Sequence, residues 1–195
     1  MQTAFIGMGA NIPSPAGPPE ATLAAAAERI ACLGQLVCRS SLYSTEPVGF
    51  ADQPRFVNAV VSLKTELHAR ELLERLLRVE REFGRDRSAG IQNGPRTLDL
   101  DLLLYGDQVI REPGIEVPHP RLAQRAFVLV PLSEIAPGQE VVTHGKSVKE
   151  LLHSLRRGLP ADTDAVLPLQ SPCWRGGPCR RDGLRPGDAD PHGHR

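Results

Sequence analysis

The stretch Leu98-Asp99-Leu100-Asp101-Leu102, running on into Leu103-Leu104-Tyr105, leaves its backbone few choices. Apolar and charged residues alternate with period two, which predicts a β-strand with both carboxylates on one face and leucines on the other. At about 3.3 Å per residue the two Asp positions stand roughly 6.6 Å apart, so their side chains can lean toward a shared point. The same alternation also describes a half-exposed strand with a wet outer face. Beside a buried strand, however, bare carboxylates are expensive to desolvate and call for a cation. Mg²⁺ suits the position, because it takes carboxylate oxygens and keeps coordination sites for phosphate. Arg96, three residues before Asp99, adds a planar fork that matches phosphate oxygens. The stretch outlines a phosphate-transfer site.

Around this strand the chain alternates strand and helix patterns without a repeat. Residues 2–8 predict a strand and 9–19 a Pro/Gly-rich loop. Residues 20–33 place Leu23, Ala26, Ala27, Ile30 and Leu33 on one stripe of an amphipathic helix. Two strands, 36–45 and 55–66, flank a loop at 46–54. Leu72, Leu73, Leu76, Leu77, Val79 and Phe83 recur at helical spacing, and Gly84 closes that helix. A charged loop, 84–96, leads into the Asp-bearing strand, followed by a short strand at 107–111 and helices at 121–135 and 147–156. Residues 168–195 are dense in Pro, Gly, Arg and Asp, so disorder is expected there, and the tail is expected to be dispensable. The pattern predicts an α+β fold with a mainly antiparallel sheet.

Composition excludes more than it identifies. A chain of 195 residues has room for one domain with a proper core. Lys plus Arg equals Asp plus Glu, 23 each, so no global field argues for nucleic acid or a membrane surface. No apolar run approaches a membrane span, and the start lacks the charged and apolar regions of a signal peptide, so a cytoplasmic location is expected. The four cysteines (32, 38, 173 and 179) sit at no recognised metal spacing and are expected as free thiols. Gly7-Met8-Gly9 is not a dinucleotide fingerprint, since the third glycine would fall at Ile12. No Gly-x-x-x-x-Gly-Lys-Ser/Thr loop is present, so any ATP must be held by side chains and metals.

Gly94-Pro95-Arg96-Thr97-Leu98-Asp99-Leu100-Asp101-Leu102-Leu103 resembles the signature of the 6-hydroxymethyl-7,8-dihydropterin pyrophosphokinases of folate biosynthesis. Residues 3–11, 41–49, 52–59 and 117–127 are similar to further blocks of that family, in its order and near its spacing, over roughly residues 1–160. The resemblance implies a ferredoxin-like α/β/α sandwich, with residues 1–160 as the pterin pyrophosphokinase domain and 161–195 as an appended tail. It implies transfer of pyrophosphate from ATP to the pterin hydroxymethyl group, with AMP released and two Mg²⁺ clamping the triphosphate.

The resemblance also implies site residues. Asp99 and Asp101 match the metal ligands; Arg96 and Arg85 match catalytic positions that, with Arg87, His119 and Arg125, contact the nucleotide. Phe56 and Phe127 match two aromatics that sandwich the flat pterin ring, while Asn58, Thr45 and Val48 match positions that read its edge. Glu80 either positions the arginines or is a plain surface residue. Three departures stand out: Asn93 where some members carry Trp, a stretch 86–92 one residue longer, and Glu46 in place of Pro. ATP and the hydroxymethyldihydropterin are the expected partners, with no obligate protein partner. Two other readings use the same residues: a nucleotidyl transferase or phosphodiesterase with the same carboxylates, and a silent module that binds pterin or nucleotide without turnover.

Overall fold

In the computed structural model the described residues are 1–47, 49, 52–86, 94–158 and 166–176. In chain order they form β1 (Gln2–Ala10), α1 (Pro19–Ala31), β2 (Gln35–Arg39), β3 (Leu42–Thr45), β4 (Phe56–Thr65) and α2 (Ala69–Glu82). There follow β5 (Asp99–Tyr105), a small hairpin of β6 (Ile110–Glu112) and β7 (Ile115–Val117), and α3 (Ala126–Ile135). The two-residue strands β8 (Glu140–Val141) and β9 (Lys146–Ser147), α4 (Val148–Gly158) and β10 (Leu167–Leu169) complete the order. The main sheet is six-stranded, ordered β10-β3-β4-β1-β5 with β2 also on β4, and every pairing in it is antiparallel.

Period-two burial divides the core between the two sheet faces. Ala4, Ile6, Met8 and Ala10 of β1 join Leu100 and Leu102 of β5 in one cluster with α1 and α2. Phe5, Leu103 and Leu104 join the other cluster, under Val128, Leu129 and Leu132 of α3 and Leu151 and Leu152 of α4. The result is a ferredoxin-like α/β/α sandwich. In α2, Leu72, Leu76 and Val79 make the buried stripe, and the chain leaves the helix through Gly84 at φ +82, where a Cβ would strain the backbone. A reciprocal cap starts α4: the Glu150 carboxylate accepts from the Ser147 N–H at 2.8 Å, and the Glu150 N–H donates to the Ser147 hydroxyl at 3.3 Å.

Three features differ from the sequence expectation. The strand expected at 36–45 is broken at Ser40-Ser41. There the Ser40 hydroxyl, not its carbonyl, accepts from the Val60 N–H at 2.9 Å. The freed Ser40 carbonyl accepts from the indole N–H of Trp174 at 2.8 Å. The helix expected at 121–135 is a short 3-10 turn over Leu122–Gln124 followed by α3, because Arg125 is extended at φ −120, ψ 105.

The third difference is the tail. Residues 167–169 pair with β3, and Trp174 is buried in the main core, so disorder does not begin at 168. The guanidinium of Arg39 lies 5.6 Å over the Trp174 ring, and a Cβ at Gly176 would collide with the Ser40 carbonyl oxygen. Apolar contact and hydrogen bonds to β3 supply what the tail's composition alone does not. Residues 177–195 lie outside the described residues. Cys32 and Cys173 are free thiols as expected, whereas Cys38 is disulfide-bonded. No helix among the described residues is long and apolar enough to cross a membrane.

The two tyrosines report on opposite sides of this packing. Burial, reinforced by the Glu134 carboxylate that its hydroxyl donates to, pushes the Tyr43 phenol up to about 12 from 10.0. Burial alone raises Tyr105, whose hydroxyl donates to the Leu67 carbonyl at 2.5 Å. A raised folded-state pKa contributes stability that is fully present below pH 10.0 and is lost as pH rises through about 12. Titration of the phenolate absorbance should therefore show Tyr43 ionising near 12 in the folded protein, with Tyr105 displaced in the same direction. Tyr43→Phe should remove the step near 12. Two ordinary phenols in the native protein would contradict this packing.

Candidate active site

β1 supplies an unusual floor. Gly9 pairs with Asn58 of β4 on one side and Asp99 of β5 on the other, and Gly7 pairs likewise with Val60 and Asp101. With strands about 4.8 Å apart, Asn58 and Asp99 stand roughly 10 Å apart across a strip of sheet that carries no side chains. A cavity of about 490 Å³ opens over this strip. A glycine within a strand marks a close approach by a ligand or another backbone, which is the signal that Gly7-Met8-Gly9 carried. A Cβ at Gly9 would stand 3.0 Å from the Asn58 amide oxygen, tight enough to push it aside. Gly9→Ala should therefore weaken ligand binding on the Asn58 side of the floor about tenfold while leaving affinity on the Asp101 side within about twofold. Isothermal titration with each ligand separates the two, and equal losses would contradict the division of the floor.

One end of the cavity is charged. Arg96 donates to the Asp99 carboxylate at 2.8 Å, and the Arg125 guanidinium lies 3.8 Å from that of Asp101. Arg85, Arg121 and His119 line the same space. Four arginines against Asp99, Asp101 and Glu46 leave this lining net cationic, which suits a polyanion. Burial, with help from Arg121, loosens the proton on Arg125, while Asp101 and Asp99 oppose that. Burial likewise lowers His119, opposed by Asp101 and Asp99 and aided by Arg125 and Arg121, so the neutral imidazole is favoured at neutral pH. Its Nδ1 accepts from the Arg121 N–H at 3.1 Å, which assigns the proton to Nε2 as a donor.

The carboxylates are held from behind. β5 is the outermost strand on its side of the sheet. The Leu100 N–H, between the two aspartates, donates to the Glu80 carboxylate at 2.8 Å. Glu80 is 1% exposed, which overturns the surface reading of this residue. Its own carbonyl accepts from the Arg85 N–H at 3.0 Å, so one residue roots both Arg85 and the Asp-bearing strand. Asn11 makes a second joint. Its amide oxygen accepts from the Arg96 N–H at 2.7 Å, while its amide nitrogen donates to Gln53 at 2.9 Å and to the Pro54 carbonyl at 3.1 Å.

The other end is flatter and less charged. Phe56 and Phe127 both line the cavity, with the Arg96 guanidinium 5.1 Å over the first ring and that of Arg125 5.4 Å over the second. Thr45 and Asn58 are buried, and the Asn58 amide donates to the Thr45 hydroxyl at 2.7 Å. That bond turns the Asn58 amide oxygen toward Gly9 and the floor.

Arg85, Arg96, Asp99, Asp101, His119, Arg125, Thr45, Phe56, Asn58 and Phe127 therefore share one cavity. Val48, Arg87 and Asn93 lie outside the described residues. Sequence reasoning missed Arg121 and Gln124 as lining residues, although Arg121 lies inside a stretch that resembled the family. Glu46 also lines the cavity and pairs with Arg55, which donates to the Ser44 hydroxyl at 2.9 Å.

The sequence profile of the 7,8-dihydro-6-hydroxymethylpterin-pyrophosphokinase (HPPK) family matches residues 5–137, a span that holds every one of these cavity residues. The chain belongs to the HPPK family. It is 43% identical to the 2-amino-4-hydroxy-6-hydroxymethyldihydropteridine pyrophosphokinase of Pseudomonas aeruginosa over 152 residues, covering 78% of this chain and 91% of that protein. It is 41% identical to the enzyme of the same name from Methylorubrum extorquens over 157 residues, covering 80% of this chain and 94% of the relative. Among solved structures, wild-type HPPK-DHPS of Plasmodium falciparum aligns with a TM-score of 0.61 at 13% identity. That alignment covers 78% of this chain and 44% of the Plasmodium chain, and it bears on the HPPK fold alone.

Proposed function

We propose that this HPPK-family chain transfers the pyrophosphoryl group of ATP to 6-hydroxymethyl-7,8-dihydropterin, a step of folate synthesis. The observation that carries the reading is the cavity itself: paired carboxylates and arginines at one end, two aromatic rings and a buried amide at the other. The triphosphate lies at the charged end and the pterin ring between Phe56 and Phe127. The hydroxymethyl oxygen reaches toward the β-phosphorus over the glycine floor.

The reaction forms a bond from the hydroxyl oxygen to the β-phosphorus as the bridge to the α-phosphate breaks. The hydroxyl proton is released and AMP leaves. Such a transfer depends on in-line placement and on balancing charge. Arg96, Arg85 and Arg125 face the phosphoryl oxygens, and Arg87, which lies outside the described residues, is proposed as a further nucleotide contact. His119 donates from Nε2 to phosphate. Asn58 and the backbone at Thr45 read the amide-like edge of the pterin, and Val48, outside the described residues, is proposed beside them. All these residues fall within 1–160, which we take as the catalytic domain.

Asp99 and Asp101 fit Mg²⁺. Both point into the cavity with half-buried carboxylates, and no group of three or more His, Cys, Asp or Glu forms a closed cage among the described residues. A pair of carboxylates that leaves coordination sites to substrate phosphates is the donor set Mg²⁺ prefers. Bound there, Mg²⁺ supplies charge neutralisation for the triphosphate and polarises the attacking oxygen. Initial rates of AMP formation test the reading. They should require both the pterin and Mg²⁺, vanish on chelation with EDTA and return on adding Mg²⁺. AMP formation that ignores the pterin would reject it.

A further inference from the structure

The pterin end of the cavity is set from a place the substrate does not touch. We propose that Glu134 is a positioning residue for the pterin pocket, holding the joint from which β3 carries Thr45 to the site. This rests on the functional reading above and adds a residue that does not line the cavity.

Glu134 sits on α3, seven residues after Phe127 and so on the same helix face. Its carboxylate accepts three hydrogen bonds from the β3 region: the Ser41 N–H at 2.8 Å, the Ser41 hydroxyl at 2.8 Å and the Tyr43 hydroxyl at 2.9 Å. These contacts span more than ninety residues of sequence and join the helix bearing Phe127 to the strand ending at Thr45. Bonds to an ionised acceptor are about twice as strong as neutral ones, which makes this a stiff joint.

The joint is also fixed on its far side. Ser40 is fully buried, its hydroxyl engaged with Val60 and its carbonyl with Trp174. From there β3 has few degrees of freedom. Tyr43 pairs with Asn58 and Thr45 with Phe56, and the Asn58 amide donates to Thr45. A shift of β3 therefore moves Thr45, Asn58 and Phe56 together, all on the pterin side. Asp99 and Asp101 sit on β5, across β1 from this joint, and Arg96 meets the pterin side only where its guanidinium lies 5.1 Å over the Phe56 ring.

The test measures pterin affinity, pterin KM, ATP KM and kcat for Glu134→Ala, Glu134→Gln, Tyr43→Phe and the double variant Glu134→Ala/Tyr43→Phe. Glu134→Ala should raise pterin Kd and KM about tenfold, with ATP KM and kcat within about twofold. Glu134→Gln keeps one acceptor oxygen and should recover most of that loss. Tyr43→Phe should raise pterin KM about threefold alone and add nothing to Glu134→Ala, since both remove one joint. Unchanged pterin affinity in Glu134→Ala overturns the proposal, as does an equal shift of both KM values and kcat, which marks general loosening. If Glu134→Ala does not fold, Tyr43→Phe decides, and an unchanged pterin KM there overturns it. A wild-type protein that binds pterin yet forms no AMP overturns the functional reading instead, while the Kd ratios still decide the role of Glu134.

Discussion

Asp99→Asn and Asp101→Asn should each lower kcat/KM by about a thousandfold, the scale of removing one electrostatic contact made to developing charge. Asparagine keeps the shape and one oxygen but cannot supply the negative charge on which the proposed Mg²⁺ site rests. The two variants should differ in a second respect. Asp99 accepts from Arg96 at 2.8 Å, whereas Asp101 lies 3.8 Å from Arg125, so Asp99→Asn frees the Arg96 fork to a greater extent. Arg96 then relies on Phe56 and on its bond to the Gly94 carbonyl at 3.2 Å. ATP affinity should consequently change more in Asp99→Asn than in Asp101→Asn, measured by nucleotide titration at fixed Mg²⁺. Folding should be little altered, because both side chains are partly exposed on an open face. Near-wild-type turnover in both variants would remove the metal assignment.

The second large effect concerns stability and falls far from the chemistry. Trp174→Ala should destabilise the protein by about 3 kcal/mol, the cost of emptying a well-packed aromatic site, with about 1 kcal/mol more for the lost indole hydrogen bond. For a chain of this size that corresponds to a melting temperature lower by roughly 8–16 °C. Trp174 is 7% exposed, and it is the one tryptophan of the chain, so its fluorescence reports the site directly. Native emission should be blue-shifted and should move to the red on the same thermal transition that abolishes secondary structure. Emission already at the solvent-exposed wavelength, or a Trp174→Ala melt that overlays wild type, would mean the arm does not pack on Ser40.

These two cases show what the sequence could and could not tell. The Asp-bearing strand was legible because alternation fixes both its secondary structure and the face of its carboxylates, whatever surrounds it. The helix of Leu72, Leu76 and Val79 was legible for the same reason at a different period. Trp174 was not. Its neighbours are Ser, Pro, Cys, Arg and Gly, and the groups that order it, among them the Ser40 carbonyl and the Arg39 guanidinium, lie more than a hundred residues earlier. The break at Ser40 was equally hidden, since a hydroxyl standing in for a backbone carbonyl leaves no mark on hydropathy. Gly7 and Gly9 were visible but their meaning was not. Only the register that sets them between Asn58, Val60 and the two aspartates turns them into a floor. Glu80 looked like one more charge on a polar helix face, yet the unpaired N–H of an outermost strand drew it inward.

The most direct test of the account is product analysis by ³¹P NMR after mixing the wild-type protein with ATP, Mg²⁺ and 6-hydroxymethyl-7,8-dihydropterin. The account predicts AMP in a one-to-one ratio with a pterin diphosphate, whose two phosphorus signals couple to each other. ADP with a pterin monophosphate would contradict it, because attack would then have fallen on the γ-phosphorus.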